Sequence, residues 1–326
     1  MNLLPALRRL ASLCLLPIPL TAQAPPPPAT DAQAAQLRAL IAASPRLPLR
    51  LTPLAIQPPV PGWTTDYVSS IAAARDGVTY VLHRNLKFDP VIAVDAGGRI
   101  LRSWGQGLYT IPHSIRIDPQ GDVWTVDAGS SVVLKFSPQG KQLLRIDVGE
   151  LPESRSAFRG TADIAFAPGG RIFIADGYGN ARILEYNDQG RRVREWGGPG
   201  IERGQFHLPH GIAFHEGVLY VADRENGRIQ RFALDGRYLG EWSHLGKTFS
   251  LRVGPDGNLW IGTQPRNVPN GAEGWLVKVD RATGKVLGYV ESPGFHSVDV
   301  TASGEALAGA RSHPNKVLWF RRPASD

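Results

Sequence analysis

Short apolar runs that alternate with polar residues recur along most of the chain, and each ends at a turn containing glycine or aspartate. The run IRIDPQGDVWTVD precedes SVVLKF, IAFAPGGRIFIAD precedes ARILEY, and IAFHEGVLYVAD precedes GRIQRF. Stretches of this kind begin near Val68, Pro112, Thr161, Pro209, Phe249 and Phe295. Short strands with a period of roughly 40 residues are typical of propeller blades. The pattern therefore predicts an all-β protein, a six-bladed β-propeller.

The final repeat has too little chain for a complete blade, because it ends near Trp319 and Phe320. Residues 49–56 resemble a strand, and Pro53 within them favours a position at a sheet edge. We expect this segment to supply the outermost strand of the last blade. Such closure would remove the exposed strand edges of an open ring.

The N-terminal region lacks the blade pattern and predicts two other segments. Arg8 and Arg9 precede a short apolar run that ends in Ala-Gln-Ala, so residues 1–24 are predicted to be a signal peptide. Residues 25–47 combine four consecutive prolines with a short helix that Asp31 caps and that ends near residue 43. The propeller is assigned to residues 48–323. We expect a secreted or periplasmic protein.

Composition excludes several functional classes. Hydrophobic residues make up 42% and charged residues 20% of the 326 positions, which suits a folded core. The formal net charge is +7, but the sequence has no Lys/Arg block or basic-aromatic interleaving that would indicate nucleic-acid binding. No long apolar run follows the signal, so no membrane span is expected. The only cysteine, Cys14, lies in the signal, and we expect a monomer without disulfides.

Histidines occupy one blade position in a regular way. Each innermost strand has a recurring Ile, Leu or Val. The residues two positions before it are Ser69, His113, Ala162, His210, Phe249 and His296. Histidine thus occurs only in alternate blades, which lie about 120° apart in a six-bladed ring. Three imidazoles and an open fourth position are typical of a catalytic zinc site. We predict zinc bound by His113, His210 and His296; three unrelated histidines are the alternative.

Other polar residues follow the second strands of the blades. Asp127, Asp176 and Asp223 recur, and they are explained equally well as acceptors for backbone donors in turns. The non-repeating residues Arg84, Tyr178, Arg224 and Arg311 are better candidates for function. Arginine can hold a carboxylate, and cations would favour a tyrosine phenolate that acts as a general base. For Arg84 and Arg224 an ion pair with a neighbouring aspartate is the competing interpretation.

The segments HGIAFHEGVLYVADRENGRIQRF, DGYGNARI and IPHSIRID closely resemble peptidyl-α-hydroxyglycine α-amidating lyase, a family of NHL-repeat propellers. The resemblance covers approximately residues 68–320. It implies cleavage of a peptide's C-terminal α-hydroxyglycine to an amide and glyoxylate. It also implies zinc at His113, His210 and His296, a catalytic tyrosine at Tyr178, and active-site arginines at Arg84 and Arg224.

The resemblance further implies a structural calcium ion. The family binds it through two backbone carbonyls, which correspond to Ile71 and Ile115, and through a carboxylate that follows the last zinc histidine. Ser297 occupies that carboxylate position here. Calcium prefers anionic oxygen ligands, so the sequence departs from the family at this site.

Three alternatives remain open from the residues. The same site could cleave a small carbinolamide such as ureidoglycolate instead of a peptide. The chain could be a non-catalytic NHL-type binding propeller, which would contain no stoichiometric zinc. A propeller lactonase or related hydrolase would use carboxylate metal ligands instead of three histidines.

Overall fold

The computed structural model of the chain describes residues 31–149, 156–310 and 315–323. The predicted signal peptide, Cys14 and Arg311 lie outside these ranges. None of the helices in the described part is long and apolar enough to cross a membrane.

One helix and 24 strands form the described structure. The N-terminal elements are α1 (Asp31–Ala42) and β1 (Arg50–Ala55). Blades one and two comprise β2 (Val68–Ala73), β3 (Thr79–His83), β4 (Val91–Val94), β5 (Ile100–Trp104), β6 (Pro112–Ile117), β7 (Val123–Asp127), β8 (Val132–Phe136) and β9 (Gln142–Asp147). Blades three and four comprise β10 (Asp163–Ala167), β11 (Arg171–Asp176), β12 (Arg182–Tyr186), β13 (Arg192–Gly197), β14 (Pro209–His215), β15 (Val218–Asp223), β16 (Arg228–Ala233) and β17 (Tyr238–Trp242). Blades five and six comprise β18 (Lys247–Val253), β19 (Leu259–Gln264), β20 (Trp275–Val279), β21 (Val286–Glu291), β22 (Phe295–Val300), β23 (Ala306–Ala310) and β24 (Lys316–Arg321).

The strands form six four-stranded antiparallel sheets, which confirms the predicted six-bladed propeller. The innermost strands are β2, β6, β10, β14, β18 and β22, and each begins within two residues of its predicted start. Each contacts the innermost strands of both neighbouring blades, and β22 contacts β2. The ring is therefore closed around one axis.

The N-terminal strand β1 completes blade six, as the sequence predicted. β1 pairs antiparallel with β24, and Pro53 lies opposite Leu318. β1 has only this neighbour in the sheet, so Pro53 lies in an edge strand where its missing N–H donor is tolerated. The N-terminal strand β1 and the C-terminal strands β22–β24 thus form one sheet, and their pairing closes the ring.

The hydrophobic core consists of six clusters, one at each interface between adjacent blades. Between blades one and two, for example, Tyr80 and Leu82 share a cluster with Ile115 and Leu134. The helix α1 extends the cluster of blades four and five, where Leu37 and Ile41 pack. Alternating apolar positions face these clusters because successive strand residues point to opposite faces of a sheet.

Candidate metal centre and active site

The three alternate-blade histidines meet on the ring axis. The centroids of the His113, His210 and His296 rings lie 4.6–4.9 Å apart, and their planes are inclined by 72–82°. One ligand atom from each residue lies within 4.8 Å of the other two. All three side chains are buried. The structure therefore brings together the residues that the sequence proposed as a metal-binding set.

A β-bulge aims each histidine at the axis. The pairing of first and second strands shifts register between Pro112 and Ser114 in blade two, and between Pro209 and Gly211 in blade four. The extra residue on the bulged strand is His113 or His210. Blade six has a corresponding shift across His296. Bulges re-aim side chains in this way beside functional sites.

Two of the recurring aspartates, Asp127 and Asp223, accept hydrogen bonds from the backbone segments that lead into these bulges. Asp127 accepts hydrogen bonds from the backbone N–H groups of Thr110 and Ile111, at 3.1 and 2.5 Å. Asp223 accepts one from the backbone of His207 at 2.7 Å. For Asp127 and Asp223 the structural interpretation, acceptance from backbone donors in turns, is therefore confirmed.

Backbone carbonyls of the other three blades orient the imidazoles. The Nδ1 atoms of the three histidines lie 2.6–2.8 Å from carbonyl oxygens of the next blade. The pairs are His113 with Ala162, His210 with Phe249, and His296 with Ser69. A carbonyl only accepts, so Nδ1 carries the proton and donates it to this bond. In the neutral ring, Nε2 is then left with its lone pair.

Burial keeps two of these imidazoles neutral. Desolvation lowers the pKa of His113 well below its usual value, and the nearby Arg84 adds to the effect. Desolvation and the Arg224 charge likewise lower the pKa of His210. Neutral imidazoles with unprotonated Nε2 atoms are the form that binds a metal ion.

These residues fit zinc. Three convergent nitrogens match the donor set of an open catalytic zinc site, which leaves a position for water or substrate. Each Nδ1–H donates to a carbonyl, the outer contact that fixes the orientation of metal-binding histidines. The three histidines would hold the ion, which would act as a Lewis acid toward a substrate oxygen.

Tyr178 lies at the point where the imidazoles converge. Its hydroxyl oxygen is 2.8 Å from Nε2 of His113 and 3.0 Å from Nε2 of His210. Its backbone N–H donates to the carbonyl of Gly160, and its ring packs 5.0 Å from that of Phe158. The preceding Gly177 allows this approach, because a Cβ there would lie 2.1 Å from the carbonyl oxygen of Pro209.

We predict that Gly177→Ala damages the site without removing any of its side chains. The added methyl group must push Tyr178 away from the strand that carries His210. A displacement of about 1 Å can cost on the order of 10²-fold in turnover. Gly97→Ala is the matched control, since its new Cβ would meet only a flexible side-chain oxygen of Asp95 at 3.3 Å. Equal activity of the two variants would contradict this account.

Arg84 borders the site from blade one. Its Nε donates to Ser69 Oγ at 2.8 Å and to the carbonyl of Pro112 at 3.2 Å. The guanidinium lies over the rings of Tyr67 and Phe158, at 4.4 and 5.1 Å from their centroids. It is thus held between two aromatic faces, close to His113.

Arg224 borders the site from blade four and is almost fully buried. Its Nε forms an ion pair with Glu225 at 2.8 Å, and Glu225 also pairs with Lys247 at 2.9 Å. Burial alone would raise the pKa of Glu225, but the charges of Arg224 and Lys247 lower it on balance. Arg224 is therefore ion-paired, but with a glutamate and not with the aspartate that the competing interpretation named. The pairing does not remove the guanidinium from the site, because Arg224 also lies over the rings of Phe249 and Tyr178.

Several functional neighbours were not identified from the sequence. Ser69, Ala162 and Phe249 occupy the blade position equivalent to that of the histidines, but they contribute backbone carbonyls, which have no residue-specific signal in the sequence. Tyr67 and Phe158 enclose Arg84, and the loop that carries Phe158 has no repeat register to reveal it. Glu225 adjoins Arg224 in the sequence, which is a signal that could have indicated their pairing.

Other histidines of the described chain have other environments. His244 bonds to the carbonyl of Gly284, and His215 ends β14 away from the metal-binding set. His83 precedes Arg84 in the sequence and is fully buried, with its ring edge-on to Trp63. Ile71 and Ile115 are also buried in their innermost strands.

The buried His83 predicts a pH dependence of stability. Desolvation lowers its pKa to about 4, although Asp66 and Asp89 oppose the shift. Between pH 6.5 and 4 the unfolded chain binds more protons at this residue than the folded protein does. The free energy of unfolding therefore decreases as the pH is lowered through this range. The contribution of His83 is about 2 kcal/mol between pH 7.5 and 5. Denaturant titrations at pH 7.5 and pH 5 measure the decrease in the free energy of unfolding between the two pH values. This decrease should be about 2 kcal/mol smaller in His83→Phe than in wild type.

The chain is similar in sequence to several known proteins. Residues 206–232 match the NHL repeat. Mouse "Peptidyl-glycine alpha-amidating monooxygenase" is 37% identical over 158 residues, which are 45% of this chain and 16% of the mouse protein. "Peptidyl-alpha-hydroxyglycine alpha-amidating lyase 1" of Drosophila melanogaster is 35% identical over 256 residues, 69% of this chain and 47% of the fly protein. This chain thus matches less than half the length of either relative.

Solved structures support the fold. The structure of streptogramin B lyase superposes with a TM-score of 0.58 at 17% identity, and covers 84% of this chain and 98% of its own. The sequence comparisons confirm the resemblance inferred from the motifs, and the relatives named as lyases support the prediction of a lyase enzyme.

Proposed function

We propose that this relative of the peptidyl-α-hydroxyglycine α-amidating lyases is a zinc-dependent carbon–nitrogen lyase. Its substrate would be a peptidyl- or N-acyl-α-hydroxyglycine, and its products an amide and glyoxylate. The observation that carries the proposal is the convergence of three Nε2 atoms with the Tyr178 hydroxyl, 2.8 and 3.0 Å from two of them. Binding alone would not require an ionisable hydroxyl at that point.

Arginines would bind the acidic end of the substrate. A hydroxyglycine carries a carboxylate beside the carbon that bears the hydroxyl and the amide nitrogen. Arg84 and Arg224 flank the histidines from blades one and four, and a guanidinium holds a carboxylate through parallel hydrogen bonds. The rings of Tyr67 and Phe158 support Arg84 and would exclude water from the same wall.

Tyr178 would move the proton. As a phenolate, it takes the proton from the substrate hydroxyl, and the O–H electrons form the new carbonyl bond of glyoxylate. The electrons of the C–N bond pass to nitrogen, which receives a proton and leaves as the amide. No oxidation or reduction occurs, so the step requires no redox co-reactant. A general base contributes about 10²–10⁴-fold in such reactions.

Product analysis tests the proposal. The purified protein should release equimolar glyoxylate and amide from an N-acyl-α-hydroxyglycine, and metal analysis should find about one zinc per chain. Removal of the metal with a chelator should abolish turnover, and zinc should restore it. Zinc-free protein without glyoxylate release would instead support a non-catalytic binding propeller.

A small carbinolamide is the second substrate candidate, because it presents the same reacting group. Ureidoglycolate, tested beside N-acyl-α-hydroxyglycines of increasing length, separates the two. A kcat/KM that rises with acyl length favours a peptide. A higher kcat/KM for ureidoglycolate would make this small carbinolamide the substrate, and the proposed cleavage of the C–N bond would stay the same.

We also propose that the protein acts outside the cytoplasm, on the basis of the signal-like residues 1–24. N-terminal sequencing of the exported protein should locate cleavage after residue 24. Retention of the full N-terminus in the cytoplasmic fraction would contradict export.

A further inference from the structure

Charged side chains occupy the axial shaft next to the histidines. Arg116 is 4% and Asp163 2% exposed, and they pair at 2.6 Å between the guanidinium Nη2 and the carboxylate Oδ2. Both residues line the same small cavity as the three histidines. A second pair, Arg252 with Asp299, joins blades five and six at 3.2 Å. Buried charges in such a place require partners.

Protein donors occupy three of the roughly four acceptor sites of the Asp163 carboxylate. Its Oδ1 accepts from the Ser114 hydroxyl at 2.6 Å. Its Oδ2 accepts from Arg116 and, at 3.2 Å, from the backbone N–H of Ile212. Asp163 therefore links blades two, three and four, and it has little capacity left for a metal ion.

The Arg116 guanidinium also contacts a carbonyl that the family resemblance assigns to calcium. Its Nη1 donates to the carbonyl oxygen of Ile115 at 3.2 Å. The third position implied for calcium holds the buried, neutral Ser297 instead of a carboxylate. A calcium ion at Ile115 would lie against a fixed positive charge and lack its anionic ligand, so these residues do not fit calcium.

We infer that the Arg116 guanidinium takes the place of a structural calcium ion in the shaft. It supplies the positive charge, the contact with the Ile115 carbonyl and the connection between blades through Asp163. The protein then binds one metal ion, at the histidines, and closure of the ring does not depend on calcium. The inference does not rest on the proposed chemistry and stands whether or not the protein is a lyase.

Wild-type protein gives the first test. Equilibrium dialysis against about 10 mM CaCl2, roughly tenfold above the weaker end of the affinities of extracellular calcium sites, should show no stoichiometric calcium bound to the protein. The melting temperature should be the same in calcium-free buffer and after addition of CaCl2, with the zinc content held constant. Retention of about one calcium per chain, or a melting temperature that CaCl2 raises, would overturn the inference.

Variants of the pair give the second test. Arg116→Met leaves Asp163 buried without its cation, and we expect the melting temperature to fall by about 6–15 °C. Added calcium should restore part of this loss in Arg116→Met and none in wild type. The double variant Arg116→Met/Asp163→Asn removes both charges and should melt above the single variant, without a response to calcium. If Arg116→Met does not fold, the double variant and the calcium content of the wild-type protein still test whether Arg116 replaces calcium.

Discussion

Replacing Tyr178 with phenylalanine should reduce turnover of an α-hydroxyglycine substrate by about 10²–10⁴-fold. The change removes one oxygen atom, the one that lies 2.8 and 3.0 Å from the histidine nitrogens. It leaves the ring, which packs against Phe158, and the three imidazoles in place. Zinc content should therefore stay at that of wild type while glyoxylate release is lost.

Tyr220→Phe is the matched control for this measurement. Tyr220 belongs to blade four, and its hydroxyl donates to the carbonyl of Arg281 at 3.3 Å, among core residues away from the axis. This variant should keep wild-type kcat. Full activity in Tyr178→Phe would exclude the tyrosine as the base and leave the proton to another group.

Replacing His113 with alanine should remove both the metal and the activity. The change deletes one of three nitrogens and leaves the carbonyl of Ala162 without its Nδ1–H donor. We expect the zinc content to fall well below one per chain, and turnover to fall by about 10³-fold or more, because Lewis-acid stabilisation amounts to several kcal/mol. Metal analysis after dialysis and glyoxylate release measure the two losses.

The control for this experiment is His215→Ala, since His215 lies at the other end of β14 from the metal-binding His210. That variant should retain zinc and activity. A His113→Ala protein that keeps both would show that the three imidazoles do not form a metal site. If the metal is lost but turnover is unchanged, zinc would have only a structural role.

The two experiments separate the two components of the site. Tyr178→Phe tests proton transfer with the metal site intact, and His113→Ala tests the metal site with Tyr178 present. Metal content distinguishes them, because only the histidine variant should lose it.

Much of the architecture could be predicted from the sequence because propeller blades repeat. The period fixed the blade starts to within two residues, and Pro53 identified an edge strand. The same register placed histidine in alternate blades, and a closed ring converts equal register into convergence on an axis. The candidates Arg84, Tyr178 and Arg224 followed as non-repeating residues at repeating positions.

The tertiary structure decided what the repeat pattern does not encode. His296 donates to the carbonyl of Ser69 across 227 residues of sequence, and His113 to that of Ala162 across 49. These bonds use backbone atoms, which have no residue-specific signal. The pairing of Arg116 with Asp163 likewise depends on which side chains of neighbouring blades face each other in the shaft.

The sequence by itself therefore determined the number of blades, the strand that closes the ring and the residues that reach its axis, because each depends on local periodicity. Only the folded ring decided which imidazole nitrogen donates to a carbonyl, how Arg224 is paired and which cation lies beside Asp163. Those properties depend on contacts between blades, where side chains and carbonyls from distant parts of the chain meet.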